Sequence, residues 1–292
     1  MSFGDQLLQY LITGVSVGLV YGLVALGLTV IYNATGIINF AQGEFVMLGG
    51  MTAVALSHAG LPLWLTVVLS VGIVTLVGLA VERVAVYPMR GRPIMVVIIA
   101  TIGASLVLQG GAKLIWGPSA VNLPAFSGDR PIHIAGGGID PQRLWIMGLA
   151  GLAMVAVHLF FTYTLTGKAM RAAALNRSAA RLCGISSDGM VRLAFAMSAA
   201  LAALAVAAIT PVELMKYAQG TQYTLTGFLA AVVGGLGSGF GAVVGGITLG
   251  VLESLSKGFI SSGYSRAIAL GVALLVLWLR PQGLFGRRGT KS

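Results

Sequence analysis

The chain has 292 residues, of which 57% are hydrophobic and only 9% charged, with 42 glycines. That balance excludes a soluble globular domain and describes a polytopic membrane protein. A net charge of +10 does not point to nucleic acid, because the cations are scattered between apolar runs without a dense tract or an interleaved aromatic platform.

Spanning the hydrocarbon as a helix takes about 20 apolar residues, and suitable runs lie at 6–32, 44–58, 63–86, 93–116, 143–166, 190–212, 223–238, 241–260 and 264–280. The expected fold class is an all-α polytopic integral membrane protein with eight or nine segments, forming a single domain over 1–292. The second run is short, so it either crosses, with the N-terminus outside, or is re-entrant, with the N-terminus inside. The opening Met-Ser-Phe-Gly-Asp-Gln lacks the positive region of a cleaved signal, so the first helix is expected to be retained. Basic residues concentrate in three places: Arg83, Arg90 and Arg92; Lys168, Arg171, Arg177, Arg181 and Arg192; and Arg280, Arg287, Arg288 and Lys291. The positive-inside rule puts all three on the cytoplasmic side. Trp64, Trp116 and Trp145 then fall at outer helix ends, where indoles favour the interface.

Between the first two runs stands Asn33-Ala34-Thr35-Gly36-Ile37-Ile38-Asn39-Phe40-Ala41-Gln42-Gly43-Glu44. A carboxylate, amides and glycines at membrane depth are costly where no water satisfies them, and such segments mark transport paths. No cation lies within a turn or two of Glu44. It is either a carboxylate at the cytoplasmic mouth, solvated or capping the next helix N-terminus, or part of the path.

The outer loop, about 117–142, is rich in proline and glycine, with Asp129 and Asp140 balancing Arg130 and Arg143, and reads as turns. The inner loop, about 167–189, is rich in alanine and arginine and predicts a short helix outside the membrane, stopped at Gly184 with Arg181 in its last turn. Met170, Ala174, Ser178 and Leu182 are expected on one face. That helix suits either anionic headgroups or a cytoplasmic partner.

Glycines four apart recur at Gly14, Gly18 and Gly22, and again at Gly235/Gly239, Gly237/Gly241, Gly241/Gly245 and Gly246/Gly250, the spacing that lets membrane helices approach closely. No phosphate-binding Gly-x4-Gly-Lys-Ser/Thr is present, so ATP is not expected to bind this chain. The single cysteine, Cys183, excludes an intramolecular disulfide and a structural cysteine metal site. Glu253 and Lys257 are expected to pair at i, i+4, and Glu213 with Lys216 to close an outer turn. His58 and His158 have no metal-spaced companions, and no catalytic constellation is visible, so neither metal, cofactor nor covalent chemistry is expected.

Four segments together carry a resemblance: Gly27-Leu28-Thr29 through Ile38-Asn39-Phe40-Ala41-Gln42-Gly43-Glu44; the loop 167–185; Gly227-Phe228-Leu229-Ala230-Ala231-Val232-Val233-Gly234-Gly235-Leu236-Gly237-Ser238; and Arg280-Pro281-Gln282-Gly283-Leu284-Phe285-Gly286. In this order they resemble the LivH-type permeases of branched-chain amino acid ABC importers, with urea and short-amide permeases similar. The resemblance implies a bacterial inner-membrane location, a LivM-like second permease, LivG/LivF-like ATPase subunits and an extracytoplasmic solute-binding protein. It also implies an ATPase-coupling helix in the loop 168–185. One departure is that Arg171-Ala172-Ala173 replaces the Glu-Ala-Ala start of the general coupling motif, and no proline closes the segment.

On this basis Asn39, Gln42 and Glu44 are expected near the substrate path or its inner gate, and Arg171, Ala172, Asn176, Ala179 and Gly184 at the coupling interface. The rival from another class is a stand-alone channel or ion-coupled carrier, with Glu44 as an ion site and the glycine-broken segments 33–44 and 234–246 as an inverted repeat.

Overall fold

A computed structural model describes residues 3–128, 132–134 and 137–286. The expectations for Asp129, Arg130, Arg287, Arg288 and Lys291 lie outside these residues. The chain folds into α1 (Phe3–Thr35), α2 (Gln42–His58), α3 (Leu63–Val81), α4 (Ile94–Trp116), α5 (Pro141–Tyr163), α6 (Leu165–Leu175), α7 (Arg177–Leu182), α8 (Ser187–Ile209), α9 (Gly220–Gly234), α10 (Gly239–Phe259) and α11 (Ser265–Leu279). A π-helical turn, Glu82–Val86, and a 3-10 turn, Tyr87–Met89, prolong α3. In the outer loop β1 (Ile132–Ile134) pairs antiparallel with β2 (Gly137–Ile139), where only turns were expected.

Among the described residues six helices are long and apolar enough to cross a membrane, and α11 is a shorter apolar one. The basic bias makes the face bearing α6 and α7 cytoplasmic. Two further passages, through α2 and α9, combine irregular chain with a short helix. The first runs from the inner end of α1 at Thr35 to the outer end of α3 at Leu63. The short second run is thus the helix α2, entered through an irregular stretch after α1.

The most extensive helix pairing joins α1 to α10, antiparallel. A Cβ on Gly14 would lie 2.7 Å from the Val251 Cα, and one on Gly18 would lie 2.6 Å from the Ile247 Cα. Glycine is required there because the two backbones occupy the space a side chain would need. On α10 the spaced glycines split between two partners, Gly246 and Gly250 meeting α1 while Gly241 and Gly245 meet α9. Gly235/Gly239 and Gly237/Gly241 do not form a helical face. Gly235 and Gly237 have φ of 106° and 93°, which breaks the chain between α9 and α10.

The inner loop is two helices, not one. Asn176 is extended, with φ −152°, and its Oδ1 accepts from the Ala179 amide, capping α7. Asparagine favours that cap over a helix interior. The kink removes the expected Met170, Ala174, Ser178, Leu182 face: Met170, Ala173 and Ala180 are buried, whereas Leu175 and Leu182 are 81% and 91% exposed.

Candidate functional site

The chain between α1 and α2 brings polar groups into the interior in a fixed order. Gly36, with φ of 75°, ends α1, and its amide donates to the Tyr32 carbonyl. Asn39 Oδ1 then accepts from the Ala41 amide at 3.1 Å, starting the turn into α2. Ala41 precedes α2 and has no side chain with which to cap it. The acceptor comes instead from α9, where Thr224 Oγ1 receives the Gly43 amide at 2.8 Å. The Thr224 hydroxyl proton is shared between the carbonyls of Phe40 and Gly220, at 3.2 and 3.3 Å. The α9 N-terminus also lacks a side-chain cap of its own, and the Glu44 carboxylate lies against its first residue, Gly220. Two helix N-termini thus meet around one carboxylate, the charge their dipoles favour.

Depth follows from helix rise. Ser105 Oγ donates to Glu44 Oε1 at 2.9 Å, and Ser198 Oγ donates to Gln42 Oε1 at 2.6 Å. Each serine is eleven residues beyond the inner end of its helix, Ile94 of α4 and Ser187 of α8, or about 16 Å at 1.5 Å per residue. Since each helix has 23 residues, the junction lies half-way across. Asn39, Gln42 and Glu44 are 1%, 0% and 0% exposed. Glu44 is therefore a mid-depth carboxylate and not a solvated group at the cytoplasmic mouth.

Among the described residues Asn39 Nδ2 and Glu44 Oε2 have no hydrogen-bond partner. Asn39 lines a void of about 10 Å³ with Thr101, Ile31 and Phe195, room for one water at most. The junction is closed. No trio of His, Cys, Asp and Glu among the described residues offers a metal site.

Arg171, Ala172, Asn176, Ala179 and Gly184 all lie exposed on the inner face, separate from the junction. Arg177 turns inward, and its guanidinium donates to the Ala34 carbonyl in the last turn of α1. Elsewhere, Lys257 Nζ meets Glu253 at 2.8 Å, as its spacing predicts, and Tyr21 also donates to Glu253. Glu213 accepts from Tyr223 and not from Lys216.

Sequence reasoning did not single out Ser105, Ser198, Gly220 or Thr224. Their one signal was a lone hydroxyl or glycine in an apolar run. Arg90, counted only as a topology marker, ion-pairs with the fully buried Glu82 and bridges to Asp188 at 2.6 Å.

A family model described as branched-chain amino acid transport system / permease component matches residues 10–277. The chain belongs to this permease family. The permease is 34% identical to the high-affinity branched-chain amino acid transport system permease protein LivH of Escherichia coli K12, over 96% of each chain. It is 33% identical to BraD of Pseudomonas aeruginosa, a permease protein of the same description, again over 96% of each. Among solved structures it resembles PsaBC from Streptococcus pneumoniae in complex with Fab, with a TM-score of 0.52, 16% identity and coverage of 95% and 93%. At that identity the likeness concerns the fold alone. Its relatives are transport permease subunits, and the permease is a multi-pass membrane protein of that kind.

Proposed function

We propose that this chain forms the membrane path of an inner-membrane importer for branched-chain amino acids and is driven by LivG/LivF-like ATPases that are separate polypeptides. A LivM-like second permease completes the path, and an extracytoplasmic binding protein delivers solute to the outer face. The LivH and BraD relatives support the solute class.

One observation carries the coupling. Because Arg177 of α7 holds the Ala34 carbonyl, a displacement of α6 and α7 is passed to the end of α1, just ahead of the Gly36 turn and the polar junction. The exposed Arg171, Leu175 and Leu182 offer the surface on which an ATPase docks. When α2 and α9 part, the unpartnered Glu44 Oε2 and Asn39 Nδ2 meet the ammonium and carboxylate of the passing amino acid. The chain contributes a path and a lever, and no covalent step.

The test is reconstitution in liposomes with the partner permease, ATPases, binding protein and ATP, using labelled leucine against valine, urea and acetamide. Accumulation of leucine by the full assembly, competed by valine and absent without ATP, is expected. Uphill transport by this chain alone would make it a self-sufficient carrier, and uptake competed only by amides would reassign the solute.

A further inference from the structure

The inner face holds a cavity of about 290 Å³, close to the lower size of small-ligand sites, about 300 Å³. Arg90, Arg92, Arg177 and Arg181 line it with Ser187 and Asp188. Arg90 is committed to Glu82 and Asp188. Among the described residues Arg92, Arg177 and Arg181 are paired with no carboxylate. Arg177 bonds a carbonyl and Arg181 Nε donates to Ser187 Oγ at 3.2 Å, so both keep free donors. The first turn of α8 adds the positive end of its dipole. Counting Glu82 and Asp188, two positive charges remain uncompensated.

Polarity changes along the cavity. Its apolar wall is formed by Ile37, Val86, Ile94 and Val97, and of these Ile94, at the start of α4, is 60% exposed. A cationic rim at the inner boundary with an apolar wall running into the membrane matches an amphiphile standing with its phosphate inward. We propose that this cavity seats the phosphate of an anionic phospholipid of the inner leaflet, its acyl chains lying along α4. The lipid then bridges α4 to α7 and α8, bracing the segment on which coupling depends. A soluble anion or an acidic partner surface would use the arginines but leave the apolar wall and α4 unexplained.

The probe is phosphatidylglycerol against phosphatidylcholine, offered in mixed vesicles to the purified full chain and followed by native mass spectrometry. Preferential retention of phosphatidylglycerol is expected, falling about 30-fold in the double variant Arg92→Gln/Arg181→Gln, at about tenfold per 1.4 kcal/mol and about 1 kcal/mol for each cation. Arg280→Gln, which removes a cation outside the cavity, should leave it unchanged, and Arg92→Lys/Arg181→Lys should retain most of it. The wild-type lipid preference stands as a measurement even if a variant fails to fold. Equal retention of both lipids, or equal loss with Arg280→Gln, overturns the proposal. Displacement by millimolar inorganic phosphate overturns the lipid source in favour of a free anion. If the double variant keeps its lipid but no longer co-purifies with the ATPases, the cluster is a protein contact and the proposal fails.

Discussion

Gly43 and Thr224 join the first turn of α2 to the first turn of α9, the amide of one donating to the hydroxyl of the other at 2.8 Å. Neither helix has a side-chain cap from its own preceding residue. The start of α2 is completed by α9, so the two can separate only by exposing the Gly43 amide, which the solute or water must then satisfy.

Gly43→Ala should therefore damage the closed junction. Its Cβ would meet the Gly220 carbonyl and lie 2.6 Å from the Thr224 amide nitrogen, and backbone cannot yield as a side chain does. A loss of about 1–3 kcal/mol is expected, read as a lowered unfolding midpoint in detergent together with reduced uptake. The three atoms nearest a Cβ on Gly220 all belong to the Glu44 carboxylate, which can swing away, so the stability loss of Gly220→Ala should be smaller. Equal losses would argue against the two-backbone contact.

Glu44→Gln keeps an oxygen for Ser105 and removes the charge. The protein should fold and insert normally while leucine uptake falls about tenfold, the effect of losing roughly 1.4 kcal/mol of solute binding. Ser105→Ala removes a hydrogen bond to a charged group, about 1.5–3 kcal/mol, and should show mainly as lost stability. Normal transport by Glu44→Gln would reduce that carboxylate to a structural role.

Arg177→Ala cuts the bridge between α7 and the Ala34 carbonyl. The complex should assemble and hydrolyse ATP, but the ATP consumed for each leucine imported should rise. Measuring both rates in one set of liposomes is decisive, since a merely destabilised complex would lose them together.

Leu175→Asp and Leu182→Asp alter side chains that are 81% and 91% exposed, so the isolated chain should keep its stability to within about 0.5 kcal/mol. Co-purification of the ATPases should be lost. If both variants retain the ATPases, the docking surface lies elsewhere.

The α1–α10 contact offers a purely structural prediction. Gly18→Val places a branched side chain where the Ile247 backbone already stands, a Cβ there being 2.6 Å from its Cα. Loss of folded protein from the membrane is expected. Gly72→Val, on α3 with nothing within 4 Å of its Cβ position, is the control that should be tolerated.

Much of the architecture was readable along the chain because it depends on local pattern. Apolar length set the long helices, and basic residues set their direction. The Gly14, Gly18 and Gly22 spacing already marked a surface for close packing. The break at Asn176 was equally local, but alanine-rich helix propensity on both sides outweighed the capping preference of one asparagine in the reading. Asn39, Gln42 and Glu44 were recognisable as out of place in an apolar environment, which is why the sequence alone pointed to them.

Their partners were not readable, for a physical reason. A hydroxyl in an apolar helix can satisfy itself on its own carbonyl four residues back, as Thr226 does on Gln222 and Thr248 on Val244. Nothing local distinguishes those threonines from Thr224, which completes α2 across 181 residues of chain. Composition and periodicity decided that this is a bundle of membrane helices with a polar break near one end. Only tertiary packing decided that the break meets the start of α9 at mid-depth, because the Gly43 amide that opens α2 finds its acceptor, Thr224, only when the whole bundle closes.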